Sequence, residues 1–447
     1  MWMLLSIAFR NLVQARRRTG LLSLAIGLVT LLLVMLLALT DGINDNLIRS
    51  ATVVSAGHVN VAGFYKATTT EGAPIVTNYA EIRKIVEENT PGLDFVTDRA
   101  RGWSKLVSET ASVQAALSGI DATQETRLLR ELRLAKESDY KEGGRDEVIG
   151  DVNRISEPET AILFAAQAER LGIGVGDKFT VRTETSSGRT STVDLTVIAV
   201  AQDLGMLSSW SIFVPKETLL ALYQLDSDTT GAIWVYLKDI DEAPAVMNHL
   251  REVFVQKGYT LMEYQPQPFF FKFEVVTGED WVGQKLDLTT WKDEVSFLTW
   301  VLTAFNFLTV MLVSILVVII AIGIMNVMWA SVRERTREIG TMRAIGMTRS
   351  RVLVMFMLEA LMLGFFASSA GAALGAGVAL AVDAANFVIP YSAVRAILLA
   401  ETLNLVIHPE PLLFSVGLLT TFTAGSALWP AIHAALLRPV AAISTTE

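Results

Sequence analysis

Four long apolar segments, Leu21–Leu39, Phe297–Val332, Val352–Val382 and Leu412–Ile432, stand one and three on either side of a polar block, 46–298. A run of about 20 apolar residues crosses a bilayer as a helix, and four such runs cannot share one water-soluble core. The pattern predicts an α-helical membrane protein with four crossings and a large water-exposed domain. A mean hydropathy of +0.43 agrees with it.

Charge divides along the same line. Outside 46–298 there are 12 Arg, no Lys and 9 acids, so the block itself carries 25 basic and 37 acidic residues. So acidic a domain argues against a nucleic-acid partner. Cysteine is absent, which excludes disulfides, zinc thiolates and thiol catalysis. Leu21–Leu39 exceeds a signal-peptide core, and Asp41-Gly42-Ile43-Asn44-Asp45 follows it instead of a small-residue cleavage site, so it reads as a retained signal anchor.

Arg10 and Arg16–Arg18 precede the first segment, while Asp41 and Asp45 follow it. The loop between the second and third carries Arg333, Arg335, Arg337, Arg343, Arg349 and Arg351 against Glu334 and Glu338. The positive-inside rule places both termini and this loop in the cytoplasm. The polar block and the loop with Asp383, Arg395, Glu401 and Glu410 then lie outside, in the periplasm of a bacterial inner membrane protein. The first residues, Trp2 to Arg18, read as an amphipathic helix along the inner surface or as a plain positive flank.

The second segment has 36 uncharged residues. At 1.5 Å per residue it is about 54 Å long against a core of about 30 Å. Its outer part, Trp291 to about Phe307, is therefore expected to stand above the membrane as a stalk, packed against something apolar. In the third segment Ala367, Gly371, Gly375 and Ala379 recur every four residues, with Gly364 before them. Such a face admits close helix approach, to the chain's own helices or to another subunit. Glu359 is a charge well inside this segment, to be paired by an arginine of the loop or to serve as a proton relay.

The loop itself is the most specific stretch. Ser331 to Thr348 reads SVRERTREIGTMRAIGMT, with Ile339, Met342, Ile345 and Gly346 at helical spacing among Arg and Glu. It predicts a short amphipathic helix, docked in a groove of a cytoplasmic partner or resting on headgroups. Together with Asn326–Met328 before it and Phe356-Met-Leu-Glu-Ala after it, the loop resembles the permease signature of the MacB/LolC/LolE/FtsX group of ABC transporters. The likeness extends to Ala8–Leu12, Leu171–Lys178, Trp429–Ala431 and Arg438–Ile443, and so over the whole chain.

The resemblance implies a mechanism called mechanotransmission. A coupling helix, here about Val332–Arg343, sits on a cytoplasmic ATPase dimer, and two permeases, copies or paralogues, complete the complex. ATP and Mg are held by the partner ATPase. This chain has no Gly-x-x-x-x-Gly-Lys-Ser/Thr loop, and Gly172–Lys178 lacks the final Ser/Thr. It is therefore expected to bind no cofactor and to be no enzyme itself, in the layout of LolC and LolE. The coupling residues are then Arg333, Glu334, Arg335, Arg337, Glu338, Ile339, Met342, Arg343 and Gly346.

The outer block reads as mixed α/β. Strands are expected at Gly57–Val61, Ser112–Ile120, Ala232–Leu237 and Tyr259–Tyr264, and helices at Tyr79–Asn89, Glu159–Leu171 and Glu242–Gln256. A hairpin pairs Lys178–Glu184 with Ser191–Val200 around Gly188. The inferred plan is a ferredoxin-like porter subdomain, 46–120 and 231–265, with a β-rich insertion at 121–230. The remaining boundaries are an amphipathic stretch 1–20, membrane segments 21–45, 291–331 (with the stalk), 350–382 and 411–436, the loop 332–349, a periplasmic loop 383–410 and a tail 437–447.

Phe269, Phe270, Phe271, Phe273 and Trp281 gather next to the stalk. They suit a hydrophobic cargo or packing of the domain base. Gly205–Trp210 is a second candidate contact, for a periplasmic partner such as an adaptor. His58, His249, His408 and His433 have no metal-ligand spacing, and neither a metal site nor a catalytic residue is assigned. The reading is a permease that moves a hydrophobic envelope cargo, lipoprotein first. The alternatives are MacB-like efflux and FtsX-like control of a periplasmic hydrolase.

Overall fold

The computed structural model describes residues 2–14, 16–69, 72–185, 188–385, 387, 389, 391, 394 and 402–437. Arg395, Glu401 and the Arg438–Ile443 motif lie outside the described residues.

Along the chain come α1 (Trp2–Gln14), α2 (Arg16–Ser50), a π-helical turn (Ala51–Ser55), β1 (Val59–Lys66), β2 (Gly72–Ala73), β3 (Val76–Thr77) and α3 (Tyr79–Asn89). Then follow β4 (Leu93–Val107), β5 (Ser112–Ile120), α4 (Thr126–Glu131), α5 (Glu137–Tyr140), β6 (Thr160–Phe164) and α6 (Ala165–Leu171). Next are β7 (Lys178–Glu184), β8 (Thr190–Ala201), α7 (Gly205–Ser208), β9 (Ser211–Pro215), α8 (Lys216–Tyr223), β10 (Thr229–Thr230) and β11 (Ala232–Leu237). The last are α9 (Ala243–Gln256), α10 (Phe273–Gly278), β12 (Gly283–Thr290), α11 (Trp291–Glu294), α12 (Thr299–Glu334), α13 (Thr336–Ala344), α14 (Arg349–Ala384) and α15 (Pro409–Leu436).

The chain forms two compact units. Among the described residues four helices are long and apolar enough to cross a bilayer, within Thr19–Val54, Ser296–Glu334, Arg349–Ala384 and Pro409–Leu436, and most of their length belongs to the membrane unit. A shared core of Ile26, Leu33, Ile324, Met328, Phe356, Leu363, Leu419 and Ala431 joins them. Both α2 and α12 run well past the about 20 residues that a bilayer requires. The first helix is thus longer than the segment expected from hydropathy, because Asp41–Ser50 continue it as a polar helix.

In the outer unit, β12-β1-β11-β4 form an antiparallel sheet. With α3 and α9 in the crossovers this is the ferredoxin-like order. Its last strand lies at Gly283–Thr290, beyond the expected limit of 265. The other half of β4 leaves that sheet and enters a second ring, β4-β5-β9-β6-β8-β7, which closes through pairing of β7 with β4. The inserted module is therefore a closed barrel, and β5, expected in the porter part, belongs to it. One 15-residue strand serves both modules.

Three expected elements differ. Glu159–Leu171 is not one helix: Thr160–Phe164 is a fully buried strand and only Ala165–Leu171 is helical. A short apolar run carries no period that separates the two. Tyr259–Tyr264 is not a strand and makes one isolated bridge, Leu261 to Leu286. The long segment expected to start at Trp291 begins as a continuous helix only at Thr299, and Trp291 is buried in α11. The Gly172–Lys178 run is a helix cap and turn. Gly172 takes φ +65°, Ile173 N–H donates to Ala168 O, and Gly174 N–H donates to the Asp177 carboxylate at 2.8 Å.

Candidate functional site

The loop between α12 and α14 forms as a helix, α13, but a shorter one than expected. Val332 and Arg333 still belong to α12. Thr336 bonds back to the carbonyls of Val332 and Arg333 at 2.9 Å each. Gly346, at φ +107°, turns the chain into α14, a conformation that a β-carbon would strain.

Three ties hold the inner face of α13. Ile339 is fully buried in the core of the membrane unit, with Met342 packed against its edge. Arg335 Nη1 reaches the Glu359 carboxylate of α14 at 3.4 Å, so the membrane carboxylate is paired from the loop. Arg343 donates to the carbonyls of Ala435, at 3.2 Å, and Leu437, which satisfies the open C-terminus of α15. Exposed on and beside it are Arg337 and Glu338 of α13, Arg333 and Glu334 at the end of α12, and Ile345 and Gly346 just after α13, Ile345 being 83% exposed. The nine residues assigned to coupling thus divide. Arg335, Ile339, Met342 and Arg343 fasten the helix to its own bundle, while Arg333, Glu334, Arg337, Glu338 and Gly346 face outward. Ile345, expected on the apolar face, points to solvent because the helix ends at Ala344.

The small-residue face of α14 is filled by α2. A β-carbon on Gly371 would stand 2.3 Å from Gly27 O, and one on Gly375 would stand 3.2 Å from Leu31 Cα. Ala367 and Ala379 are buried on the same face. Gly364 turns elsewhere, toward Thr420 and Thr423 of α15. This face packs within the chain.

In the outer unit the five aromatic candidates are contiguous, with Phe269 meeting Phe270 and Phe273 at 5.7 and 6.5 Å and Phe270 meeting Phe271 at 4.6 Å, but they differ in exposure. Phe273 joins a core of Phe64, Met262 and Val276, with Trp281 at its edge. Trp281 is flanked by the ammonium groups of Lys66 and Lys285 at 5.3 and 4.8 Å. Phe269 lies under the Arg101 guanidinium at 4.3 Å. Phe270 and Phe271 stay exposed, and Phe297 meets them at 5.9 and 6.4 Å.

Behind them is a buried polar network that sequence patterning missed. Arg101 donates to Asn60 at 2.9 Å, and Asn60 donates to Thr289 and Glu294 at 3.0 and 3.2 Å. Lys272 meets both oxygens of Asp287 at 2.8 and 2.7 Å with both side chains fully buried. The one signal in the sequence was charge at inward positions of the strands, as at Asp98, Arg99, Arg101 and Asp287. The network ties β1, β4 and β12 to α11, which leads into α12. Burial pushes the Asp287 and Glu294 carboxyls above their ordinary values, with Lys272 and Arg101 opposing the rise. Tyr264, desolvated and bonded to Asp293 at 2.9 Å, is pushed up to about 12.

The raised carboxyls give a pH dependence of definite sign. Between the ordinary range and the raised value the native state keeps protons that the unfolded state releases. Stability of the outer unit then falls as pH rises through that window. Glu294→Gln is expected to flatten this slope in thermal unfolding measured across pH; an unchanged slope would deny Glu294 any share in it.

The MacB-like periplasmic core domain family model matches residues 19–253, more than half of the chain. The chain belongs to the MacB/FtsX-type permease family. The FtsX-like permease C-terminal model matches 308–437, which contains α13, Glu359 and the α14 face. Relatives include the Macrolide export ATP-binding/permease protein MacB of Hyphomonas neptunium, 36% identical over 124 residues, or 28% of this chain and 17% of that protein. The protein of that name from Bdellovibrio bacteriovorus is 28% identical over 173 residues, covering 38% and 24%. The Uncharacterized ABC transporter permease YknZ of Bacillus subtilis is 43% identical over 63 residues, covering 14% and 16%. The matched stretch is thus less than a quarter of each of these proteins. Among solved structures, the extracellular domain of YknZ from Gram-positive bacteria aligns at 14% identity and TM-score 0.29, over 51% of this chain and 98% of its own. The periplasmic region of MacB from Actinobacillus actinomycetemcomitans aligns at 14% and 0.30, over 56% and 95%.

Proposed function

We propose that this MacB/FtsX-type permease couples ATP hydrolysis on a nucleotide-binding partner to movement of its outer unit, and so moves a hydrophobic envelope cargo, lipoprotein first. The supporting observation is the two-sided construction of α13. Its inner face is fastened to α12, α14 and α15, so a push on the helix is carried by the bundle. Its outer face offers charge and an exposed Ile345 to a docking groove. Residues 1–447 contain no phosphate loop, so ATP and Mg are bound elsewhere, by an ATPase dimer serving two permeases. In this reading α13 is cytoplasmic and the outer unit periplasmic, in the inner membrane. Phe270 and Phe271 are the part of the aromatic group left open to cargo. Efflux of a small molecule through an adaptor is the second reading, favoured by the macrolide-export relatives.

Reversing Arg333 and Arg337 together to Glu is expected to reduce ATPase co-purification and transport about 10-fold or more, without lowering the melting temperature. Two contacts at about 1 kcal/mol or more each suffice for that. Arg335→Glu is expected instead to destabilise the membrane unit through Glu359. Normal ATPase association in the double variant would place the docking face elsewhere. Mass spectrometry of the detergent-purified complex decides the cargo class. A lipid-modified protein supports lipoprotein release, an adaptor with an outer-membrane duct supports efflux, and a cell-wall hydrolase supports signalling.

A further inference from the structure

β4 changes sheets at two buried arginines. Arg99 is the last residue of β4 paired with β11, opposite Ala232. Ala100 and Arg101 are the first paired with β5, opposite Gly119 and Ser118. The ferredoxin-like sheet and the barrel therefore join between them. Arg99 is 1% exposed and Arg101 8%, and side chains two apart on a strand share a face.

Each arginine holds the end of a different long helix. α2 runs on into the buried π-helical turn, which Ala56 N–H closes by donating to Ala51 O at 2.8 Å. Arg99 Nη1 donates to the Val53 carbonyl of that turn at 2.7 Å. Its Nε and Nη2 take the two oxygens of Glu125, Nη2 at 3.0 Å, immediately before α4 of the barrel module. The same guanidinium lies 3.9 Å over Trp234 of β11 and 5.5 Å from the ring of Phe213 of β9, one ring from each module. Beside it the Tyr236 hydroxyl donates to the Thr52 carbonyl at 2.8 Å. Arg101 acts through Asn60, which donates to Glu294 Oε1, and Thr289 donates to that oxygen at 2.7 Å. Glu294 ends α11, just ahead of α12. The π-helical turn and α11 also touch each other, so the two helix ends arrive side by side.

Burying a guanidinium costs more than burying an apolar side chain of similar volume. A junction that had only to be filled would be filled by apolar packing, which gives way to sliding. A guanidinium presents its donors in a fixed planar fork and holds the elements it bonds at a set distance and angle. Here that stiffness sits where both helix ends and both modules meet. We propose that Arg99 and Arg101 are positioning residues that pass displacement of α2 and α12 to the ferredoxin-like sheet and the barrel together, Arg99 serving α2 and Arg101 serving α12. The inference rests on the coupling of ATP hydrolysis to outer-unit movement proposed above.

The chain has no cysteine, so spin labels attach only where cysteine is introduced. One label goes on Gln114 of β5 and the other on Asp45 of α2 or Lys292 of α11, all three exposed. Double electron–electron resonance on the full chain with its co-purified ATPase measures each distance, without nucleotide and trapped with ATP and vanadate. In the parent each pair should give one narrow distance, the same in both states, because helix end and barrel move as one body. Arg99→Met, made with Glu125→Leu so that no buried charge is left alone, should broaden the Asp45 pair, make it shift with nucleotide and leave the Lys292 pair as it was. Arg101→Met with Glu294→Gln should do the converse. Tyr236→Phe and Asn60→Leu keep both arginines and should loosen the Asp45 and the Lys292 pair respectively, which keeps the test decisive if a charge variant fails to fold. A loss of structure alone would broaden both pairs alike, whatever the nucleotide. That result, or narrow and nucleotide-independent distances in every variant of a complex that still hydrolyses ATP, would overturn the inference. A parent chain that retains no ATPase would instead overturn the proposed function beneath it.

Discussion

Lys272→Met is expected to destabilise the outer unit by about 3–5 kcal/mol, the cost of leaving one member of a buried ion pair alone. Both side chains of the Lys272–Asp287 pair are fully buried, and both carboxylate oxygens are taken by the one ammonium. Methionine fits the space of the lysine stem but returns nothing to Asp287, whose nearest remaining cations, Arg101 and Arg251, act only at longer range. A domain of ordinary stability, about 5–15 kcal/mol, would lose a large share of it. The companion change Asp287→Leu in the same chain should recover most of the loss, because removing both charges removes the desolvation cost of both. Chemical denaturation of the purified permease measures the series. A single variant within about 1 kcal/mol of the parent would mean that water reaches the pair.

Gly371→Leu should prevent the membrane unit from assembling correctly. A β-carbon at Gly371 already collides with the backbone of Gly27, 2.3 Å from its carbonyl oxygen and 2.7 Å from its Cα. Backbone cannot move aside as a side-chain end can, so α2 and α14 must separate, and the contacts of Gly375 with Leu31 and Val34 go with them. Overpacking in a close-packed interior costs about 1–3 kcal/mol even when only side chains are displaced, and this site exceeds that case. The expected result is a large fall in folded yield and melting temperature in detergent. Gly377→Leu, six residues further along α14, meets nothing within 4 Å at its β-carbon and should be tolerated. Equal tolerance at both positions would refute the α2–α14 contact.

Much of the membrane unit was legible in the chain. The four helices follow from apolar length alone, the Ala367–Ala379 face from its four-residue period, and the pairing of Glu359 from the cost of an ion in hydrocarbon. In the outer unit α3, β5 and β7 were readable because their burial periods are clean, and β11, buried throughout, from its β-branched and aromatic residues. Thr160–Phe164 was not, since five consecutive buried residues fit a strand or a helix equally. The ties of Arg335 and Arg343 were also hidden. Every arginine of the loop has the same local setting, and only the positions of Glu359 and the α15 carbonyls distinguish them.

What depends on a single window could be read along the chain: four helices long and apolar enough to cross a membrane, where small residues permit close approach, and a charged helix joining the second and third of them. Tertiary structure alone decided what depends on partners distant in the chain. It divided the loop arginines between fastening and display, made β4 serve two modules by closing the barrel at Lys105 and Arg182, and buried Lys272 with Asp287. The physical reason is that hydrophobic burial is proportional to the residue's own apolar area. The free energy of a buried charge or an unpaired strand edge is instead set by whichever group the fold brings to it.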